Sequence, residues 1–180
     1  MKITKKDGTD ERIIITGMIV DVGVVETIAR QWKPDLFRER HDNLIAKWCV
    51  DYYNKYGKAI GEHIEQRFSE WATSGRRNDA DVELMEQFIG ELSGEYSRRK
   101  KTLNAEHVLD TAEQYFIKVA LERHNKQIQG LIEEDRLTEA ARVAENYIPF
   151  SIQGNNDVES AINDEPKRTR WLWQNWLAYT

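Results

Sequence analysis

From Asp10 to Ile148 the apolar residues recur at helical spacing rather than alternating as they do along a half-buried strand. The first segment, "ERIIITGMIV", is apolar on most of its surface through Ile13, Ile14, Gly17, Met18 and Val20. Its β-branched content suits a strand by propensity alone. The lack of alternation, Asp10 as a cap before it and Asp21 as a cap for the next helix favour a helix instead. "VGVVETIARQW" repeats Val24, Val25, Ile28 and Trp32, and Pro34 then opens a short turn through Leu36 and Phe37. "RHDNLIAKWCVDYYNKYG" carries Leu44, Ile45, Trp48, Cys49, Tyr52 and Tyr53 on one stripe, with Gly57 placed to stop it in a left-handed conformation. "GEHIEQRFSEWATSG" follows with Ile64, Phe68 and Trp71, and a polar loop, "RRNDAD", leads on. "DVELMEQFIGELSGEYSRRKK" then places Leu84, Met85, Phe88, Ile89 and Leu92 together, weakened by Gly90 and Gly94 at roughly 1 kcal/mol each.

A different element starts at Asn104, a good N-cap. Val108, Ala112, Tyr115 and Val119 step along one face, and Ala120, His124, Ile128 and Leu131 continue on a slightly rotated one. Unbroken to Glu133, that helix is ~44 Å long at 1.5 Å per residue. "LTEAARVAENYI" returns as a shorter helix and Pro149 stops it, so residues 104–148 read as a helical hairpin. A protruding hairpin has more apolar flank than its own two arms cover. Pairing with a second copy into a four-helix arrangement is expected to bury Tyr115, Phe116, Val119, Ala120, Leu131, Ile132 and Ala144.

The predicted fold is therefore all-α. A polar, frayed arm covers 1–9, a helical bundle 10–101, a hairpin 102–149 and a flexible, linker-like tail 150–180. That tail loses periodicity through Gly154, Asn155, Asn156 and Pro166, then ends on Trp171, Trp173 and Trp176. The tryptophans either pack back onto the bundle or form an unpartnered linker.

Composition narrows the chemistry. The 180 residues fit one domain with an appendage, and 40% hydrophobic content supplies a core. Charged residues make up 32% and the net charge is −5, which argues against a generic polyanion binder. The single cysteine, Cys49, cannot form an internal disulfide and points to a reducing, cytoplasmic setting. No signal peptide is visible, and no run approaches the ~20 apolar residues of a membrane span.

No catalytic, cofactor or metal site stands out. A ferritin-like metal site needs Glu three positions before an inward histidine. His41, His63, His107 and His124 instead follow Arg38, Ile60, Asn104 and Leu121. Cys49 lies on the apolar stripe beside Ile45, where a thiol is inert. The carboxylates read as a charged helical surface, with no pair marked for acid–base work. Nucleic-acid contact has three candidate clusters: Arg98, Arg99, Lys100 and Lys101 at the junction of bundle and hairpin, Arg76 and Arg77 in a loop, and Lys167, Arg168 and Arg170 beside the tryptophans. Basic residues at a helix C-terminus also simply face the dipole. With the acidic total, this weighs against direct DNA binding.

The stretch "ERIIITGMIVDVGVVETIARQWKPDLFRERHDNLIAKWCVDYYNKYGKAIGEHIEQRF" resembles the N-terminal domain of DnaB-like, phage-type replicative DNA helicases. The shared features are the opening apolar helix, "KPDLFRERHDNLI" with a Phe and then a His before an apolar helix, and the "YYNKYGKAI" exit. The hairpin follows in the family's order, and the likeness spans roughly residues 10–150. His41 takes the position of the family's pre-helix histidine, which implies a structural hydrogen-bonding role. "RTRWLWQNWLAYT" is similar to the segment preceding a RecA-like ATPase domain, yet no G-x-x-x-x-G-K-[ST] is present to cradle a nucleotide.

The resemblance implies a non-catalytic oligomerisation and docking domain, lacking the ATPase domain and any cofactor. It would self-associate through the hairpin and contact a primase, a helicase loader or a parent's ATPase domain. The alternatives are a stand-alone phage or mobile-element regulator that binds a host replication protein, and a small nucleic-acid-binding module.

Overall fold

Asp21 divides the first two helices. Its backbone is extended and its carboxylate accepts the Val24 amide at 3.0 Å, satisfying a donor that the helix start would leave bare. The computed structural model describes residues 7–75, 78–99, 103–148 and 150–152, leaving aside the side chains of Asp7 and of 93–99. Among these residues the fold is all-α, with seven helices: α1 (Asp7–Val20), α2 (Val22–Arg30), α3 (Arg40–Tyr56), α4 (His63–Thr73), α5 (Asp79–Arg99), α6 (Ala105–Glu133) and α7 (Leu137–Glu145).

α1 is the central element. Ile14, Ile15 and Met18 are fully buried, and α1 packs against α2, α3, α5 and α6. Gly17 allows a close approach to two of them. A Cβ built there would meet Val108 Cγ1 of α6 at 2.7 Å and Val24 Cγ1 of α2 at 3.3 Å. The helix begins earlier than its sequence suggests: Asp7, Gly8 and Thr9 are helical, so the frayed arm does not extend to residue 9 and Asp10 is not the cap.

α3 follows its apolar stripe, burying Ile45, Ala46, Trp48 and Cys49, and ends at Gly57 with φ 64°, a left-handed geometry that costs glycine little. The Gly61 amide donates to the Ile19 carbonyl at 2.7 Å and ties the α3–α4 connection to the end of α1. α5 buries Met85, Ile89 and Leu92. Leu84, expected on the same stripe, is 53% exposed, because α5 presents only a narrow strip to the bundle.

α6 departs most from expectation. Asn104 caps it, accepting from the Glu106 and His107 amides. Its first half is core: Val108, Ala112, Tyr115, Phe116 and Val119 are buried. Tyr115, Phe116 and Val119 are thus covered within one chain and do not await an oligomer. Phe116 meets Phe37 edge-on at 5.2 Å and Phe150 at 5.2 Å. That second contact corrects the reading of residue 150 as the start of a free linker. Phe150 and Ile152 pack on the core, and the Ile152 amide donates to Glu113. The tryptophan cluster and the rest of the tail lie outside the described residues.

Candidate functional site

Two features stand out beyond the core: the outer half of the hairpin and a polar cleft at the base of α1. From Ala120 to Glu133 no residue of α6 is buried. The principal neighbour of α6 besides α1 is α7, which buries only Ala140. Leu121, Ile132 and Leu137 are 46%, 51% and 58% exposed, and Ile148, past α7, is 70% exposed. At 100° per residue, Leu121 and Ile132 share one flank of α6, rotated by roughly 145–165° from the stripe that enters the core. Of the residues expected at an oligomer interface, Ile132 and Ala144 are exposed and Ala120 and Leu131 half-buried. Leu121, Leu137 and Ile148 were not among them, although the register from Leu121 through Ile128 to Ile132 runs in the sequence.

The turn before α3 builds the cleft. Asn43 reaches back six residues, accepting the Phe37 amide at 2.9 Å and donating to the Phe37 carbonyl at 2.7 Å. Arg123 of α6 donates to the same carbonyl at 2.7 Å. With Phe37 locked into the core, Arg38 is directed outward. Its guanidinium grips Glu122 through donors at 2.8 and 3.0 Å, and its amide donates to the Tyr115 hydroxyl at 3.1 Å. The Tyr115 hydroxyl donates in turn to Glu11 of α1.

Beside this chain of contacts lies Asp42, 1% exposed at the start of α3. Its Oδ1 has no hydrogen-bond partner, and the His41 Nε2 at 3.4 Å is outside hydrogen-bond geometry. Burial pushes Asp42 up to about 7, the negative charges of Glu11 and Glu39 add to the rise, and Arg12 opposes it. Burial also raises Glu11, while the hydroxyl donated by Tyr115 pulls it partly back. These two residues correct the expectation that the carboxylates all sit on solvent faces. A signal existed: Asp42 stands three positions before Ile45 and four before Ala46, in register with the buried stripe.

A cleft of about 430 Å³ opens over the pair, between the starts of α1 and α3 and one side of α5. Phe88 forms one wall, with the His41 ring edge-on at 4.8 Å and the Arg12 guanidinium 5.9 Å from its centroid. Arg12 is held by Glu91. His41 therefore contacts an aromatic ring and lies beside a buried carboxylate.

Cys49 is fully buried and burial raises its thiol far above the ordinary range, in keeping with a core role. Among the described residues no group of histidines, cysteines and carboxylates could hold a metal ion. No described helix is long and apolar enough to cross a membrane. Arg98 and Arg99 fall in the last turn of α5, where side chains are not described. Arg76, Arg77, Lys100, Lys101, Lys167, Arg168 and Arg170 lie outside the described residues.

Comparison with protein-family models, with curated proteins and with solved structures gives no match for this chain.

Proposed function

We propose that this chain is a non-catalytic oligomerisation and docking domain of a DnaB-like replicative helicase system, self-associating through the outer half of its hairpin. The observation that carries the reading is the division of α6. The half up to Val119 belongs to the core, while the half beyond it holds no fully buried residue and displays Leu121 and Ile132. Beyond the bundle the 29-residue helix is covered chiefly by α7, which leaves the flank of Leu121 and Ile132 open to a partner. Leu121 and Ile132 each leave about half their surface uncovered in one chain, so a second copy supplies the apolar contact most economically. Order and pattern along residues 10–150 support the same family: opening apolar helix, Phe37 then His41 before α3, and the hairpin last. In this reading paired hairpins set the spacing between subunits, and the bundle meets a primase, loader or ATPase domain.

The test is light scattering of the full chain over a concentration series, with thermal melting alongside. The wild-type chain is expected to form dimers or higher oligomers. Leu121→Glu with Ile132→Glu is expected to yield monomers that melt like the wild-type bundle, since both positions are exposed. A wild-type chain that stays monomeric at the highest concentration refutes the reading.

A further inference from the structure

We propose that the cleft over Asp42 is a binding site for an alkylammonium group, taken either from a free polyamine or from a lysine side chain of a protein partner. The first argument is an acceptor without a donor. Asp42 forms part of the cleft lining, is 1% exposed, and its Oδ1 has no hydrogen-bond partner. A buried carboxylate in that condition is costly until a cation or donor reaches it.

The second argument is the charge balance of the lining. Arg12 is engaged by Glu91, and Arg38 is engaged by Glu122, so both cations are already matched by carboxylates. Glu11, Glu39 and Asp42 line the same cleft beside His41, where Arg12 and Arg38 are shared with Glu91 and Glu122 and so do not offset all the carboxylates. An anion would meet this excess of carboxylates, whereas an ammonium group would be drawn to it.

The third argument is shape. Leu84, 53% exposed, and Phe88 give the cleft an apolar side formed by α5. A methylene stem suits that wall while its charged head reaches the carboxylates. This also accounts for Leu84, which sits on the helical stripe yet does not enter the core. A compact, strongly hydrated divalent ion suits the site less well, because among the described residues its carboxylates are not grouped closely enough to hold a metal ion.

The full chain is to be titrated with 1,5-diaminopentane and, separately, with a lysine tripeptide blocked at both ends. Magnesium chloride and inorganic phosphate at matched ionic strength serve as comparisons. Binding is read by calorimetry near pH 6 in two buffers of different ionisation enthalpy. An ammonium probe should bind with release of a proton, because Asp42, raised to about 7, must ionise to receive it. Asp42→Asn should weaken binding by at least about tenfold and abolish the proton release. Glu39→Gln, at an exposed position, should weaken binding less, and it provides the readout if Asp42→Asn fails to fold. Binding of the diamine alone identifies a free polyamine as the source, and binding of the peptide alone identifies a partner's lysine. The proposal is overturned if neither ammonium probe binds, if both variants bind as wild type does, or if magnesium or phosphate binds as tightly as the ammonium probes.

Discussion

The Tyr115 hydroxyl donates to the Glu11 carboxylate, joining residues 104 positions apart and fastening α6 to the first turns of α1. The same oxygen accepts the Arg38 amide at 3.1 Å, so one phenol organises three segments of the chain. Burial and the neighbouring Glu11 carboxylate both raise the Tyr115 phenol, which keeps it a proton donor throughout the physiological range.

Tyr115→Phe retains the ring that packs against Phe37 and Phe116 and removes only the hydroxyl. Glu11 then loses its donor and the Arg38 amide its acceptor. Leaving such groups unsatisfied costs about 1–3 kcal/mol. Urea denaturation at neutral pH should show that loss with an unchanged slope. A midpoint equal to wild type would mean that the contact contributes nothing to folding.

Asp42 makes stability depend on pH in the direction opposite to that of a salt-bridged carboxylate. Its folded value, about 7, exceeds the ordinary 3.8, so the folded state holds a proton that the unfolded state has released. Stability is unaffected below pH 3.8, falls as pH rises toward 7, and levels off above that. At about 1.4 kcal/mol per unit, the ceiling is roughly 4 kcal/mol. Asp42→Asn cannot ionise and should flatten this limb of the curve. Melting temperatures of both chains between pH 4 and 8 check it; parallel curves would rule Asp42 out as the source.

Phe116 and Leu121 lie five residues apart on α6 with opposite environments, at 1% and 46% exposure. Phe116→Ala should cost about 3–5 kcal/mol, the range for an emptied aromatic core position. Leu121→Ala should change monomer stability by no more than about 0.5 kcal/mol. Denaturation at concentrations too low for association separates the two. Equal losses would contradict the division of α6 into core and emergent halves.

Gly17 tests the α1–α6 contact. Gly17→Ala forces a methyl against Val108 Cγ1 and should destabilise by about 1–3 kcal/mol, despite the better helix propensity of alanine. Combining it with Val108→Ala should recover part of that loss, since the two side chains would share one space. Strict additivity in a double-mutant cycle would show that the helices part to accommodate the methyl.

Much of the local architecture is legible along the chain. The Asp21 and Asn104 caps, the Gly57 stop and the span of α3 all follow from chemistry within a few residues, where backbone donors, side-chain acceptors and left-handed geometry act without distant help. Helical periodicity likewise marked Ile45, Trp48 and Cys49 of α3 and Met85, Ile89 and Leu92 of α5 as inward, but not the buried Asp42, Ala46 and Val50, and it placed the exposed Leu84 on the stripe.

Packing between distant segments sets where α6 ceases to be core and brings Glu11 and Asp42 to one cleft. A 3.6-residue repeat identifies an apolar face but not the element that covers it, so Phe116 and Ile132 look alike along the chain although one is enclosed and the other bare. Glu11 carries no mark of burial in its own segment either. It is enclosed because α1 is surrounded by α2, α3, α5 and α6, and because a phenol contributed by α6 supplies the hydrogen bond that its carboxylate requires.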